Sequence, residues 1–138
     1  MRVDGNKYYV GSNGIYVTGW LELSEGWYYL ASNGAKQTGW IVVKGVWYYM
    51  DKATGRMYEN EWLDNTYYLL DGGKMATGWL ELSEGWYYFT SSGKKATSTW
   101  VNNKYYVGAD GIMAVDEWVD GGKYYVDANG VWVPNAAK

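Results

Sequence analysis

The chain has 138 residues, a net charge of −3 and neither cysteine nor histidine. The missing cysteine excludes a disulfide framework and a thiol nucleophile, and the missing histidine removes the commonest general base and metal ligand. An acidic chain with a pI near 4.9 lacks the basic stripe that nucleic acid requires. Because the sequence contains no run of 18 consecutive apolar residues, no membrane span is predicted.

Aromatic residues make up a fifth of the chain, and almost all are Trp or Tyr, whose polar edges suit half-exposed surfaces. Tyrosine pairs recur at steps of 20, 20, 19, 20, 18 and 19 residues. A fixed period of about twenty residues predicts a stacked repeat array rather than a domain with one central core. The seven pairs are Tyr8-Tyr9, Tyr28-Tyr29, Tyr48-Tyr49, Tyr67-Tyr68, Tyr87-Tyr88, Tyr105-Tyr106 and Tyr124-Tyr125.

Each repeat is predicted to fold as a β-hairpin followed by a short tail. In the fullest copy, a strand that starts at Gly19 and a strand that ends at Leu30 flank a turn of small and charged residues. Residues 77–88 repeat residues 18–29 without a change. No stretch has a sustained 3.6-residue apolar period, so no long helix is predicted. In chain order, the leading tryptophans of the hairpins after the first are Trp20, Trp40, Trp62, Trp79, Trp100 and Trp118.

The predicted fold class is an all-β solenoid of about seven stacked hairpin repeats, because an isolated hairpin is marginal in water. The first repeat lacks its leading Trp and the last tail ends in Val133-Pro134, so residues 1–138 are interpreted as one domain with two array ends. No signal peptide is visible at Met1, which is compatible with a piece of a longer secreted protein. The expected core contains most second tyrosines of the pairs together with Leu21, Leu23, Leu30, Leu80, Leu82 and Phe89.

Three copies carry a second Trp seven residues after the first. Across a two-residue turn, positions an odd number apart share one face of a hairpin, so each Trp pair is predicted to place two indoles side by side. The other copies carry Thr66, Lys104, Lys123 or Lys7 at the second position. The pairs are Trp20 with Trp27, Trp40 with Trp47, and Trp79 with Trp86.

A second position varies in step with these pairs. Two residues after the tail glycine, a methionine occurs in each repeat that directly follows a Trp pair, whereas repeats after an incomplete pair carry Lys36, Lys95 or Trp132. This agreement suggests that the Trp pair and the methionine line one pocket at the junction of consecutive hairpins. The alternative is that the indoles are packing and the methionines fill gaps. The methionines are Met57, Met75 and Met113.

Such a pocket suits a quaternary ammonium. Two indole faces, a phenol and a thioether offer strong π faces, and a bulky cation without N–H groups gains ~0.5–2 kcal/mol per good ring contact. Where the pair is incomplete, we hypothesise that the ammonium of Lys36 or Lys95 stands in for the ligand. The alternative for both is an ordinary solvated lysine.

The run of Gly-Trp, spacer, Trp-Tyr-Tyr-Leu, Asn-Gly and Thr-Gly-Trp resembles the choline-binding, or cell-wall-binding, repeat of Gram-positive surface proteins and lysins. The resemblance covers almost the whole chain. It implies a left-handed β-solenoid in which choline lies between consecutive hairpins. It also implies three sites, each made of two Trp from one repeat with a Tyr and a Met from the next. The first site is Trp20, Trp27, Tyr48 and Met57; the second is Trp40, Trp47, Tyr67 and Met75; the third is Trp79, Trp86, Tyr105 and Met113.

The short-turn copies depart from this pattern, and the junctions built on Trp62, Trp100 and Trp118 are expected to lack full sites. These copies are more similar to the repeats of glucan-binding proteins and clostridial toxins, which bind carbohydrate. Glycan binding is therefore the alternative function.

The predicted function is a non-catalytic module that recognises choline or phosphocholine on cell-wall teichoic acids. No cofactor, metal or catalytic residue is assigned, because carboxylate pairs such as Glu22 and Glu25 flank turns and come with no sign of burial. The resemblance implies a secreted protein at the cell wall or surface of a Gram-positive bacterium, or a phage lysin acting there. A homodimer is a possible assembly.

Overall fold

The computed structural model describes residues 2–4, 7–10 and 15–137, with side chains described from Ile15 onward. In these ranges the chain forms strands and turns without a helix, which confirms the all-β prediction. The side chains of the first repeat, including Lys7 and Tyr8-Tyr9, lie outside the described residues. The strands are β1 Arg2–Asp4, β2 Lys7–Val10, β3 Ile15–Tyr16, β4 Gly19–Leu23, β5 Gly26–Leu30, β6 Gly39–Val43, β7 Val46–Met50, β8 Glu61–Leu63, β9 Tyr67–Leu69, β10 Gly78–Leu82, β11 Gly85–Phe89, β12 Thr99–Val101, β13 Tyr105–Val107, β14 Glu117–Val119, β15 Tyr124–Val126 and β16 Trp132–Val133.

Strands pair within their own repeats, as the repeat pattern predicted. The two-stranded hairpins are β4–β5, β6–β7, β8–β9, β10–β11 and β12–β13, and the three-stranded sheets are β1–β2–β3 and β14–β15–β16. The hairpins β4–β5, β6–β7 and β10–β11 close over two residues, so that Leu23 lies opposite Gly26. In β6–β7 the turn residues Lys44 and Gly45 have φ of 51° and 81°. Two positive φ angles define a type I′ turn, whose twist matches that of the flanking strands.

The remaining hairpins after the first repeat have shorter strands and turns of three or four residues. In β12–β13, Val101 lies opposite Tyr105, and the turn residues Asn102 and Asn103 have φ of 54° and 57°. Asparagine tolerates this left-handed conformation better than most residues. Lys104, which occupies the place of the second Trp, therefore lies in the turn and not in a strand.

Each tail returns along the second strand of its own hairpin. Lys36 forms an antiparallel bridge with Leu30, and Met57 does so with Met50. At the end of the array the bridge grows into strand β16, in which Trp132 lies opposite Val126. The tail position that varies with the Trp pairs is therefore held beside the residue that follows each Tyr pair.

The centre of each repeat is the residue directly after the Tyr pair. This position holds the largest side chains that are fully buried, each at most 1% exposed: Leu30, Met50, Leu69, Phe89, Val107 and Val126. The tail covers it on one side and the hairpin on the other, so its character is apolar in every described repeat.

Part of the predicted core is wrong. Leu21, Leu30 and Phe89 are buried, but Leu23, Leu80 and Leu82 are half-buried; Leu23, for example, is the last residue before a turn. Of the second tyrosines in the described pairs, Tyr49 is buried and the others are half-buried. The second tyrosine shares a face with the leading Trp of its hairpin and packs on it: the ring centroids of Trp20 and Tyr29 are 4.9 Å apart. Tyr49 packs on Trp40 in the same way but is also covered by Tyr58, with ring centroids 5.0 Å apart.

The contacts divide the chain into two compact units. The first contains Met1–Leu63 and Tyr68–Met75, and the second contains Asp64–Tyr67 and Ala76–Lys138. The single domain over residues 1–138 stays a prediction.

Candidate functional site

The hairpin register brings the Trp pair onto one face. Trp20 lies opposite Tyr29 and Trp27 lies opposite Glu22, so the two indoles occupy diagonal positions on the same side of the two strands. Their ring centroids are 6.3 Å apart, and the ring planes are nearly perpendicular at 86°. The other face carries Leu21, Tyr28 and Leu30, which form a buried cluster.

The residues of the first site surround one cavity. Tyr48 of the next hairpin packs edge-on against Trp20 with a centroid distance of 4.9 Å. The main-chain N–H of Met57 donates to the carbonyl of Trp27 at 2.8 Å. Together with Gly72, these four residues line a cavity of about 310 Å³.

The third site has the same construction. The indoles of Trp79 and Trp86 are 6.5 Å apart at 81°, and Tyr105 lies 5.3 Å from Trp79. The N–H of Met113 donates to the carbonyl of Trp86 at 2.8 Å. These residues and Asn129 line a cavity of about 400 Å³, and Trp86 is 39% exposed at its rim.

The second site shares the indole geometry. Trp40 and Trp47 are 6.3 Å apart at 80°, and the N–H of Met75 donates to the carbonyl of Trp47 at 3.0 Å. Trp47 is 45% exposed. Tyr67 belongs to the other compact unit, and its part in this site stays a prediction.

The variable tail position makes one main-chain contact whatever its side chain. The methionine N–H groups of all three sites reach the carbonyl of the second Trp, and the same hydrogen bond runs from Lys95 to Thr66 at 2.8 Å and from Trp132 to Lys104 at 2.7 Å. The methionine side chain then extends over the tail glycine of the following repeat. A Cβ on Gly73, for example, would lie 2.5 Å from the sulfur of Met57.

The two tail lysines lie over tyrosine rings. The Nζ atom of Lys36 is 5.6 Å from the ring centroid of Tyr28, and that of Lys95 is 5.8 Å from the ring centroid of Tyr87. Lys95 Nζ also donates to the side-chain oxygen of Asn65 at 3.3 Å. Of the two hypotheses for these lysines, the geometry favours the one in which the ammonium approaches an aromatic face.

The tyrosines beneath these lysines are each 5% exposed. The hydroxyl of Tyr28 donates to Glu25 at 3.3 Å, and that of Tyr87 donates to Glu84 at 3.2 Å. Burial, and then the negative charge of Glu84, raise the pKa of Tyr87 to about 12. The glutamates beside the turns therefore serve as hydrogen-bond acceptors for tyrosines.

The short-turn junction built on Trp100 also contains a cavity. The junction built on Trp100 was expected to lack a full site, yet Trp100, Tyr124 and Trp132 surround a cavity of about 380 Å³ together with Asn103 and Asp120. In the sequence, Lys104 occupies the position of the second Trp, and Trp132 occupies the tail position that holds Met in the three predicted sites. The cavity could have been predicted only from a comparison of both positions.

Within residues 2–4, 7–10 and 15–137, no group of His, Cys, Asp or Glu is arranged to hold a metal ion. The same ranges contain no helix that is long and apolar enough to cross a membrane.

Comparison with sequence families gives matches along most of the chain. Residues 17–62 match one choline-binding repeat profile, and residues 78–112 and 94–132 match another. Residues 2–16 match a putative cell wall binding repeat. A comparison with curated proteins gives no match.

Several solved structures are similar to this chain. The choline-binding domain of CbpL from Streptococcus pneumoniae is 37% identical over 99% of this chain and 97% of that chain, with a TM-score of 0.70. CbpJ from S. pneumoniae TIGR4 is 42% identical over 92% of this chain and 44% of that chain, with a TM-score of 0.81. CbpF from S. pneumoniae, in the presence of a peptidoglycan analogue, is 40% identical over 91% of this chain and 43% of that chain, with a TM-score of 0.78. The chain thus spans less than half the length of CbpJ and CbpF.

Proposed function

The chain belongs to the choline-binding repeat family, and on that premise we propose that this cell-wall-binding module holds choline at three sites between consecutive repeats. These are the first, second and third sites defined above by their Trp pairs and methionines. The function is binding, and no catalytic step is assigned to the module.

The geometry of the first site is the observation that carries this proposal. Perpendicular indoles of Trp20 and Trp27, the ring of Tyr48 and the thioether of Met57 enclose a cavity of about 310 Å³. A trimethylammonium group presents methyl groups with positive charge on every side and has no N–H to satisfy. Ring faces attract that charge and thioether carbon and sulfur pack against the methyls, so the lining matches the ligand.

We further propose that the natural partner is choline or phosphocholine on teichoic acid of a Gram-positive cell wall, which places the protein at the cell surface. Each site is weak alone, because a few cation–π contacts contribute ~0.5–2 kcal/mol each. A polymer that carries many choline groups raises the effective concentration at the second and third sites. A homodimer stays a prediction.

Substitution of one indole tests this assignment. We expect isothermal titration calorimetry to give one fewer choline site for Trp27→Ala, because the first site loses one of its two indoles. Trp27→Phe should keep the site with weaker binding, since it retains a smaller ring. The neutral analogue 3,3-dimethyl-1-butanol, which has the shape of choline without its charge, should bind far more weakly to the unmodified chain.

An unchanged choline stoichiometry in Trp27→Ala would contradict the proposed first site. Equal affinity for choline and for the neutral analogue would contradict the cation–π basis of binding.

Glycan binding is the second candidate. It is favoured by the short-turn hairpins, such as β12–β13, and by the likeness to CbpF in the presence of a peptidoglycan analogue. Binding to choline-free peptidoglycan fragments, together with no heat of choline binding up to high millimolar concentration, would favour this candidate over the first.

A further inference from the structure

We infer that the cavity between Trp100 and Trp132 is a fourth ligand site and that it prefers a methylated ammonium which still carries an N–H. This inference rests on the cation–π chemistry proposed for the other sites. The fourth site is defined by Trp100, Asn103, Asp120, Tyr124 and Trp132, which line a cavity of about 380 Å³.

Three rings of this site stand nearly perpendicular to one another. Trp100 and Tyr124 are 5.6 Å apart at 87°, Trp100 and Trp132 are 6.5 Å apart at 69°, and Tyr124 and Trp132 are 6.3 Å apart at 80°. The separations of Trp100 from the other two rings lie close to those of the third site, in which Trp79 is 6.5 Å from Trp86 and 5.3 Å from Tyr105. The fourth site therefore offers a similar set of ring faces to a cation.

The second indole reaches this site by a different route. In the first and third sites it comes from the second strand of the hairpin, whereas here that position is Lys104, which lies in the turn. The main-chain N–H of Trp132 donates to the carbonyl of Lys104 at 2.7 Å, which holds Trp132 where a methionine stands in the other sites. One indole thus replaces both the second Trp and the Met.

The fourth site also contains a carboxylate. Asp120 Oδ2 accepts a hydrogen bond from Trp100 Nε1 at 3.1 Å, and Asp120 is held in the turn with φ of 55°. The cavity of the first site is lined without any charged side chain. A negative charge at the rim attracts any cation, but only a cation with an N–H can also donate a charge-assisted hydrogen bond to it.

Two of the rings that line the fourth site are partly exposed to solvent. Tyr124 is 39% exposed and Trp132 is 38% exposed. Exposure of the rim limits the advantage of the carboxylate, because a solvent-exposed ion pair changes an affinity only by about a few-fold.

Nuclear magnetic resonance of the indole N–H groups tests this inference. The ¹⁵N-labelled chain is titrated at pH 7 with choline and, separately, with protonated N,N-dimethylethanolamine, and the signals are assigned with single Trp variants. We expect the signals of Trp100 and Trp132 to move with both amines. The preference for the dimethyl amine over choline should be about threefold greater at the fourth site than at the first, as expected for an exposed charge-assisted contact.

Two variants separate the contributions of the ring and the charge. Asp120→Asn keeps an oxygen that can accept from Trp100 Nε1 but removes the charge, and we expect it to abolish the extra preference for the dimethyl amine. Trp132→Leu keeps an apolar side chain on β16 but removes the ring face. It should stop the movement of the Trp100 signal while the Trp27 signal still responds; Trp132→Phe should restore part of it.

The outcomes distinguish this inference from the proposed function. If the signals of Trp20 and Trp27 move while those of Trp100 and Trp132 stay fixed, the fourth site does not exist and the proposed function stands. If Asp120→Asn leaves the relative preference unchanged, the role of the carboxylate is overturned. If no indole signal responds to either amine, both the proposed function and the fourth site are overturned.

Discussion

The environment of the first tyrosine of each pair depends on the residue at the variable tail position of the same repeat. Tyr28 and Tyr87, over which a lysine ammonium stands, are 5% exposed. Tyr48 and Tyr105 face cavities and are half-buried, and Tyr124 in the fourth site is 39% exposed. The first tyrosine is therefore buried when the tail of its repeat carries a lysine, and it lines a cavity when the tail carries Met or Trp.

Burial of Tyr87 predicts a loss of stability at high pH. Its pKa is raised to about 12 by burial and by Glu84, whereas a free tyrosine has a pKa of about 10. The unfolded chain loses this proton first, so the stabilising contribution is complete below pH 10 and is lost as the pH rises from 10 towards 12. We expect the urea-unfolding free energy to fall over that range.

The variant Tyr87→Phe cannot ionise, and its stability should decline less between pH 10 and 12. Its stability at pH 8 measures the separate effect of losing the hydrogen bond to Glu84. An equal alkaline decline in both proteins would show that Tyr87 does not contribute to it.

At the scale of the structural element, the tail is the part that connects one repeat to the next. Its variable residue bridges to the centre of its own repeat, hydrogen-bonds to the preceding hairpin and lies over the glycine of the following tail. Met57 does all three, through Met50, Trp27 and Gly73. A glycine is required at the last position because a side chain there would occupy the space of the methionine.

Substitution of two glycines with similar φ angles distinguishes this steric effect from backbone strain. Gly39 has φ of 75° and open space within 4 Å of the position that a Cβ would take, whereas Gly73 has φ of 89° and a Cβ would lie 2.5 Å from Met57 Sδ. We expect Gly39→Ala to cost about 1 kcal/mol from backbone strain. Gly73→Ala should cost a further ~1–3 kcal/mol from overpacking and should weaken choline binding at the first site.

Chemical denaturation and calorimetric titration of the two variants measure these effects. Equal destabilisation with unchanged choline affinity in both would mean that Gly73 contributes only its backbone conformation.

The sequence predicted those features that depend on local spacing. The placement of Trp20 and Trp27 on one face follows from alternation along paired strands, and their association with Met57 was visible because both positions recur with one period. Leu30 and Phe89 were predicted to be buried, whereas Leu69 and Val107, which occupy the same position in short-turn repeats, were missed although each is buried. The two residues lie in shorter strands, in which the apolar pattern is weaker, and the burial of this position depends on the tail that folds back on the hairpin. The cavity that Trp132 lines together with Trp100 was missed because this ring comes from β16 and not from a hairpin strand next to the turn.

At the scale of the whole molecule, each cavity of the first, third and fourth sites is shared by consecutive repeats, so a ligand contacts more than one hairpin. The first site takes Trp27 from β5 and Tyr48 from β7. Binding to the folded chain and not to the unfolded chain must stabilise the fold by mass action.

Choline is therefore expected to raise the thermal unfolding temperature. At a free concentration of 100 times the dissociation constant, each occupied site adds about 2.7 kcal/mol to the unfolding free energy of the unit that contains it. Differential scanning calorimetry with increasing choline measures the shift. It should be smaller in Trp27→Ala and nearly absent with 3,3-dimethyl-1-butanol. A shift of the same size with the neutral analogue would mean that the stabilisation does not require a cation.

The hydrogen bond from the variable tail position to the preceding hairpin uses main-chain atoms only, and it is present with Met, Lys or Trp. A single substitution there can open, fill or rebuild a junction while the connection between neighbours persists. The number of ligand sites can therefore change in evolution while the number of repeats stays constant, and a designer could adjust the valence of such a protein one junction at a time.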